Sequence, residues 1–327
     1  MYDHPFHSAD LSRHAFLVTG GAGFVGSNLV EYLLKYKAGK VVVLDNLATG
    51  FADNIKPFYS NPAFKFIHGD ICDIGKVTEA CIGMDYVFHE AALGSVPRSI
   101  QNPIATHNVN ASGFLSVLVA ARDAGVKRVV YASSSSVYGD STELPKTEGN
   151  IGRPLSPYAV SKLVNEFYAD IFCRTYDMEI IGLRYFNIFG PRQNPKGEYA
   201  AAIPLFTDGL LNNKPVFING DGNQSRDFTF VENAVQANVK AMFCENFEAI
   251  GEVFNIALGG QISINELFNS LKKLTGSSLE PVHRASRQGD VRDSLADISK
   301  ARAILGYHPT VSIEEGLKRT VEWFKAR

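Results

Sequence analysis

Long apolar runs are missing from this chain of 327 residues, and so is any excess of charge of one sign. No uninterrupted hydrophobic stretch reads as long enough to cross a bilayer, so no membrane partner is expected. Lys plus Arg number 32 against 34 Asp plus Glu, and the net charge of -2 leaves no basic footprint for nucleic acid or a membrane surface. An anionic small ligand would have to be met by a few placed arginines. Cysteine is scarce: Cys72, Cys81, Cys173 and Cys244 are scattered without metal-ligand spacing. They read as reduced thiols of a cytoplasmic protein, and no metal site is expected. Residues 1–14 lack the apolar core of a secretory signal and read as a polar, flexible surface arm. Its three histidines, His4, His7 and His14, are not read as metal ligands.

What is present is the pattern of an α/β protein. Hydrophobic residues make up 45% and charged residues 20%, ordinary for a soluble globular chain. Short apolar runs predict strands over 15–19, 41–45, 64–67, 86–89, 129–132 and 180–183. Amphipathic stretches between them predict helices over 27–36, 104–124 and 158–176. Strands apolar on both faces, alternating with helices, imply a parallel doubly wound sheet of Rossmann type. After about residue 187, prolines and glycines punctuate shorter elements, with helical patterns at 263–274 and 313–324. This reads as a first, Rossmann-type domain over 15–186 and a smaller, mainly substrate-binding domain over 187–327, some of whose segments return to the main sheet.

Gly20, Gly23 and Gly26, in Thr19-Gly20-Gly21-Ala22-Gly23-Phe24-Val25-Gly26, follow the first strand and open a helix. Such glycines permit a tight turn, close approach to a pyrophosphate and close helix–strand packing, while the helix N-terminus offers N–H groups. Asp45 ends the second strand about 20 residues on, where a carboxylate binds the adenosine ribose and repels a 2′-phosphate, so NAD is expected over NADP. Phe24, Val25 and Asn46 flank these positions. Asp70, with Ile71 beside it, either accepts from the adenine amino group or caps a turn. Ala91 and Ala92 either leave room for the cofactor or make a tight strand–helix join.

Tyr158 and Lys162 follow Ser156 and Pro157, a good N-cap and first helical residue, so they share one early helical face. A nearby ammonium stabilises a phenolate and lowers its pKa, making a tyrosine able to take a proton from an alcohol.

With Ser133-Ser134-Ser135-Ser136-Val137-Tyr138-Gly139 and Leu183-Arg184-Tyr185-Phe186-Asn187, these motifs resemble the extended short-chain dehydrogenase/reductases, over nearly the whole chain after residue 14. Within them the chain is similar to the UDP-hexose 4-epimerases. Gly94-Ser95-Val96-Pro97-Arg98-Ser99 resembles the branch acting on UDP-GlcNAc and UDP-GalNAc. The resemblance implies an NAD-dependent isomerase, homodimeric and cytoplasmic, supplying sugars for surface polysaccharide. Tyr158 would take the proton of the sugar 4-hydroxyl as carbon 4 gives hydride to NAD⁺, and the 4-keto sugar would turn over before hydride returns. Ser134 would bond the 4-hydroxyl, and Lys162 and Tyr185 would contact the cofactor. Ser95, Asn187, Arg226 and Arg287 would bind the nucleotide sugar, with Asp290 near its ribose. Phe217 either packs on uracil or is a core residue. Ser294 would leave room for an N-acetyl group where UDP-Glc-restricted relatives carry tyrosine.

Ser135 and Ser136 stand where sugar 4,6-dehydratases place an Asp-Glu pair, which speaks against elimination. UDP-glucuronate 4-epimerase, with a similar serine run, is the nearer alternative. A non-catalytic NAD-binding regulator of the same fold would be expected to have lost Tyr158 and Lys162.

Overall fold

The computed structural model describes residues 1–196, 200–285 and 292–327. Its first half runs β1 (Ala15–Thr19), α1 (Phe24–Lys35), β2 (Lys40–Asp45), α2 (Ala52–Ile55), β3 (Phe64–His68), α3 (Ile74–Cys81), β4 (Tyr86–His89), α4 (Val96–Gln101), α5 (Pro103–His107), α6 (Phe114–Asp123), β5 (Arg128–Ser134), α7 (Pro157–Tyr176) and β6 (Glu179–Tyr185). The second half adds β7 (Ile188–Phe189), α8 (Ala202–Leu211), β8 (Phe217–Asn219), β9 (Ser225–Arg226), β10 (Thr229–Phe230), α9 (Val231–Met242), β11 (Val253–Ile256), β12 (Ile262–Ser263), α10 (Ile264–Thr275), β13 (Val282–Arg284) and α11 (Ile313–Lys325).

Seven strands form one parallel sheet in the order β11-β6-β5-β4-β1-β2-β3. Strand residues alternate between two buried clusters. Phe16, Val18, Val41, Val43, Phe88 and Val130 face one side, while Leu17, Val42, Leu44, Val87 and Val129 face the other. Burial on both faces is why the strands are apolar throughout, and the expected Rossmann-type doubly wound α/β fold is the one observed. Strand order reverses on either side of β1, and in such sheets ligands bind at the carboxyl ends of the strands flanking that point. β11 joins β6 from late in the chain, and a third cluster around Phe189, Phe206, Phe230 and Leu267 anchors α8, α10 and α11.

Two expectations need correction. The N-terminal segment is not a flexible surface arm. Tyr2 and Leu11 are fully buried, the Phe6 and Tyr32 rings stack with centroids 5.3 Å apart, and the Phe6 N–H donates to the Tyr32 hydroxyl at 2.7 Å. Aromatic anchors between the polar residues fasten it to α1. Secondly, Pro103–Asp123, a continuous rod of 21 residues with mean hydropathy 1.2, is long and apolar enough to cross a bilayer by length and composition. Half of its apolar window is buried, and it packs on α3, α4, α7 and β4, so its apolar side is a core face.

A π-helical segment, Asn108–Gly113, interrupts this rod. It turns Asn110 to accept from the Leu93 N–H at 2.8 Å and donate to the Ser161 hydroxyl at 3.1 Å, fixing the wall of the cavity described next.

Candidate active site

The carboxyl ends of β1, β2, β4, β5 and β6 converge on a cavity of about 640 Å³. Its floor is a cradle that tolerates no side chains. Gly20 has φ +70°, and a Cβ there would lie 2.6 Å from the Ala91 nitrogen; one on Gly26 would lie 2.3 Å from the Gly20 carbonyl oxygen. These clearances let the turn pack against the end of β4 and the start of α1, and Gly20, Gly23 and Gly26 line the cavity at the α1 N-terminus, where N–H groups and dipole favour phosphate. Asp45 accepts the Ala22 N–H at 3.0 Å and the Leu47 N–H at 2.7 Å, which fixes its carboxylate in the cavity wall. Burial raises its pKa, and those two N–H groups work against the rise. Asn46 donates to Asp70 at 2.8 Å, and Asp70 also accepts the Cys72 N–H at 2.8 Å, so Asp70 makes the turn while lining the cavity. Phe24, Val25, Ile71, Ala91 and Ala92 line the same space. A dinucleotide fits this cradle on the glycine clearances and the placed Asp45.

Across the cavity stand Ser134, Tyr158 and Lys162. α7 begins as the sequence indicates, with the Ser156 hydroxyl accepting the Ala159 N–H at 3.1 Å and Pro157 in the first turn. Both the N–H and the hydroxyl of Ser136 donate to the Ser134 oxygen, at 3.2 and 2.9 Å. Ser134 is thereby left with its own proton to donate. Burial raises the Tyr158 phenol above its usual value and the Ser134 hydroxyl opposes this, so the expected net lowering by Lys162 is absent from the chain alone. The Lys162 ammonium is 2% exposed and donates to the Ala132 carbonyl at 2.7 Å. Burial pushes its pKa down to about 8, opposed by the negative charges of Glu90 and Glu166. His89, at the end of β4, is lowered to about 3 chiefly by burial, and its Nδ1 is hydrogen-bonded to the Thr19 hydroxyl at 2.8 Å.

A second cavity, of about 400 Å³, adjoins the first, and Asn187, Ile188 and Gln193 line both. Asn187, with φ 37°, donates to the Asp227 carbonyl at 3.0 Å, which holds the junction of the two. Phe217 is 38% exposed and lines this second cavity under the Arg284 guanidinium, 3.2 Å from its ring centroid, so it is not a plain core residue. Arg226 lines it too, with its guanidinium donating to the Ser225 and Arg292 carbonyls.

The family model for NAD dependent epimerases/dehydratases matches residues 16–257. The chain belongs to that family. Among similar proteins, a putative UDP-glucose 4-epimerase of Methanocaldococcus jannaschii is 40% identical over 94% of this chain and 98% of its own length. A UDP-glucuronate 4-epimerase of Thermodesulfobacterium geofontis is 35% identical over 95% of this chain and 96% of its own. The solved UDP-N-acetylglucosamine 4-epimerase of Methanobrevibacter ruminantium, in complex with UDP-N-acetylmuramic acid, is 36% identical with TM-score 0.90, covering 96% of this chain and 98% of that one.

As a member of the epimerase/dehydratase family the chain uses NAD, as the glycine cradle and Asp45 indicate. Of the positions singled out in the sequence, Ser95 lines the first cavity while capping α4, its hydroxyl accepting the Arg98 N–H at 3.2 Å. Tyr185 lines it with its hydroxyl turned to Glu90. Ser294 donates its N–H to the Ser225 carbonyl at 3.2 Å, one residue from Arg226, and is not among the residues lining either cavity. Arg287 and Asp290 lie outside the described residues. Sequence reasoning missed Arg284, Asn110 and Glu90. The signal for Glu90 was present, an acid placed directly after a strand next to β1 in the sheet.

Proposed function

We propose that the chain is a UDP-sugar 4-epimerase that interconverts UDP-GlcNAc and UDP-GalNAc, with UDP-Glc and UDP-Gal as further substrates. The observation that carries this is the convergence of Ser134, Tyr158 and Lys162 on a cavity that adjoins a second, arginine-lined one through Asn187. NAD, when bound, supplies the hydride acceptor and a positive charge in this cavity. Tyr158 takes the proton of the sugar 4-hydroxyl, with Ser134 donating its free proton towards the same oxygen. Lys162 keeps two N–H donors beyond the one given to Ala132, available to a ribose. Arg226 and Arg284 suit a diphosphate, and Phe217 presents an exposed ring face to a base.

Serines at 135 and 136 leave no carboxylate for elimination, which supports epimerisation over dehydration. The N-acetyl preference is supported by Ser95 in the wall of the first cavity. We assign residues 15–186 to the cofactor and 187–327 mainly to the sugar nucleotide, with β11 returning to the sheet. A homodimer through α7 is supported by its exposed Val160, Phe167 and Ile171, at 49, 62 and 44%.

The test is incubation of the purified protein with UDP-GlcNAc, UDP-Glc and UDP-GlcA separately, with chromatographic resolution of the 4-epimers. Conversion of UDP-GlcNAc is expected. Conversion of UDP-GlcA alone would overturn the substrate assignment.

A further inference from the structure

The register of β4 on β5, with His89 opposite Tyr131, puts Glu90 beside Ala132, whose carbonyl accepts from the Lys162 ammonium at 2.7 Å. Glu166, one turn along α7, lies near it but is matched by Arg184, whose Nη2 donates to Glu166 Oε2 at 2.8 Å and Nε to Oε1 at 2.9 Å. Tyr158 faces the same cavity from the same helix. Glu90, from the end of β4, lines the cavity, and the hydrogen bond described for its carboxylate comes from a neutral group: the Tyr185 hydroxyl donates to Oε1 at 2.8 Å. That hydroxyl accepts in turn from the Asn238 side-chain amide at 2.6 Å, so its proton is committed to Glu90. Asn238 also donates to the Ala234 carbonyl at 2.9 Å, which holds the chain to α9. His89 beside it is neutral. Among the described residues, the two carboxylates near Lys162 thus differ: Glu166 is half of an ion pair, whereas Glu90 is held by the Tyr185 hydroxyl.

We propose that Glu90 is a positioning residue whose carboxylate, aimed by Tyr185 and Asn238, supplies the negative charge that keeps the buried Lys162 ammonium charged beside Tyr158. This rests on the reading of Tyr158 and Lys162 as the proton-handling pair. Burial favours loss of the Lys162 proton, and of the nearby acids Glu90 opposes this most. Glu90 is itself held up near 7 by burial, with Tyr185 and Lys162 pulling it back down. Each group therefore supports the charged form of the other. Without the Glu90 charge, Lys162 gives up its proton at lower pH, and the phenolate loses its counter-charge.

The test is Glu90→Gln, which keeps an oxygen to accept from Tyr185 and removes only the charge. Two quantities are measured on the full chain. One is the ¹⁵Nζ titration of Lys162 by NMR without sugar, assigned by its loss in Lys162→Met. The other is the alkaline limb of the pH profile of kcat/KM with NAD and UDP-GlcNAc. Both midpoints are expected to fall by about one pH unit, the size of effect a single nearby opposite charge produces. Tyr185→Phe, which frees the carboxylate and weakens its ionisation, shifts both in the same direction, so the proposal stays testable if Glu90→Gln does not fold. A Lys162 midpoint unmoved in both variants overturns it. If the NMR midpoint falls while no sugar nucleotide is turned over even by wild type, the charge coupling stands and the catalytic reading fails separately.

Discussion

Glu166→Gln is the perturbation whose size the structure sets most directly. Arg184 is 3% exposed and Glu166 9%, and the carboxylate accepts two guanidinium N–H groups and the Ser133 hydroxyl, the last at 2.6 Å. The amide can replace one oxygen only, and its NH₂ then faces the Arg184 Nη2, donor against donor. A guanidinium left buried beside it also bonds the Tyr138 hydroxyl at 3.1 Å and the Glu148 carbonyl at 3.0 Å, so it cannot turn to water. Breaking one side of such a pair costs about 3–5 kcal/mol. With an unfolding entropy of roughly 2 cal/mol/K per residue, that corresponds to a fall in Tm of about 4–7 °C for a chain of this size. Differential scanning calorimetry of the NAD-loaded protein measures it. The double variant Glu166→Met, Arg184→Met is expected to recover much of the loss, because an apolar pair of similar volume leaves no charge buried. A Glu166→Gln protein that melts within about 1 °C of wild type would refute the reasoning, since surface-like pairs contribute only about 0–1 kcal/mol.

Tyr158→Phe is expected to lower epimerisation by at least about 10²-fold with NAD binding by calorimetry intact; near-wild-type turnover would remove the phenol from the mechanism. Asp45→Ala is expected to weaken NAD binding and narrow its advantage over NADP, and equal affinity of the unmodified protein for both would remove the ribose role.

The sheet was legible because parallel strands buried on both faces are unbroken apolar runs; β1 and β4 fall on the residues that the pattern indicates. Strands such as β7, β9 and β10, two residues each, carry no periodicity and could not be read that way. Tyr158 and Lys162 were legible because helix geometry alone brings i and i+4 together. Their electrostatics were not, because the burial that raises Tyr158 and lowers Lys162 is a property of the folded cavity. The N-terminal segment misled for a related reason: its histidines and acids read as solvated, while Tyr2 and Phe6 do the anchoring.

Arg184 shows how a recognisable motif can hide its task. It lies between Leu183 and Tyr185 in a segment that points to the family, yet it does not line either cavity described here. What it does is bind Glu166 on both oxygens, one turn beyond Lys162 on α7. Its neighbour Tyr185, facing the opposite way along β6, holds Glu90. Alternation along one strand therefore sends one residue to quench a carboxylate and the next to aim another. The charge that Lys162 meets is set by that division: were Arg184 lost, Glu166 would compete with Glu90 for the ammonium, and the Ser133 hydroxyl, one residue from Ser134, would remain bound to a carboxylate without its cation.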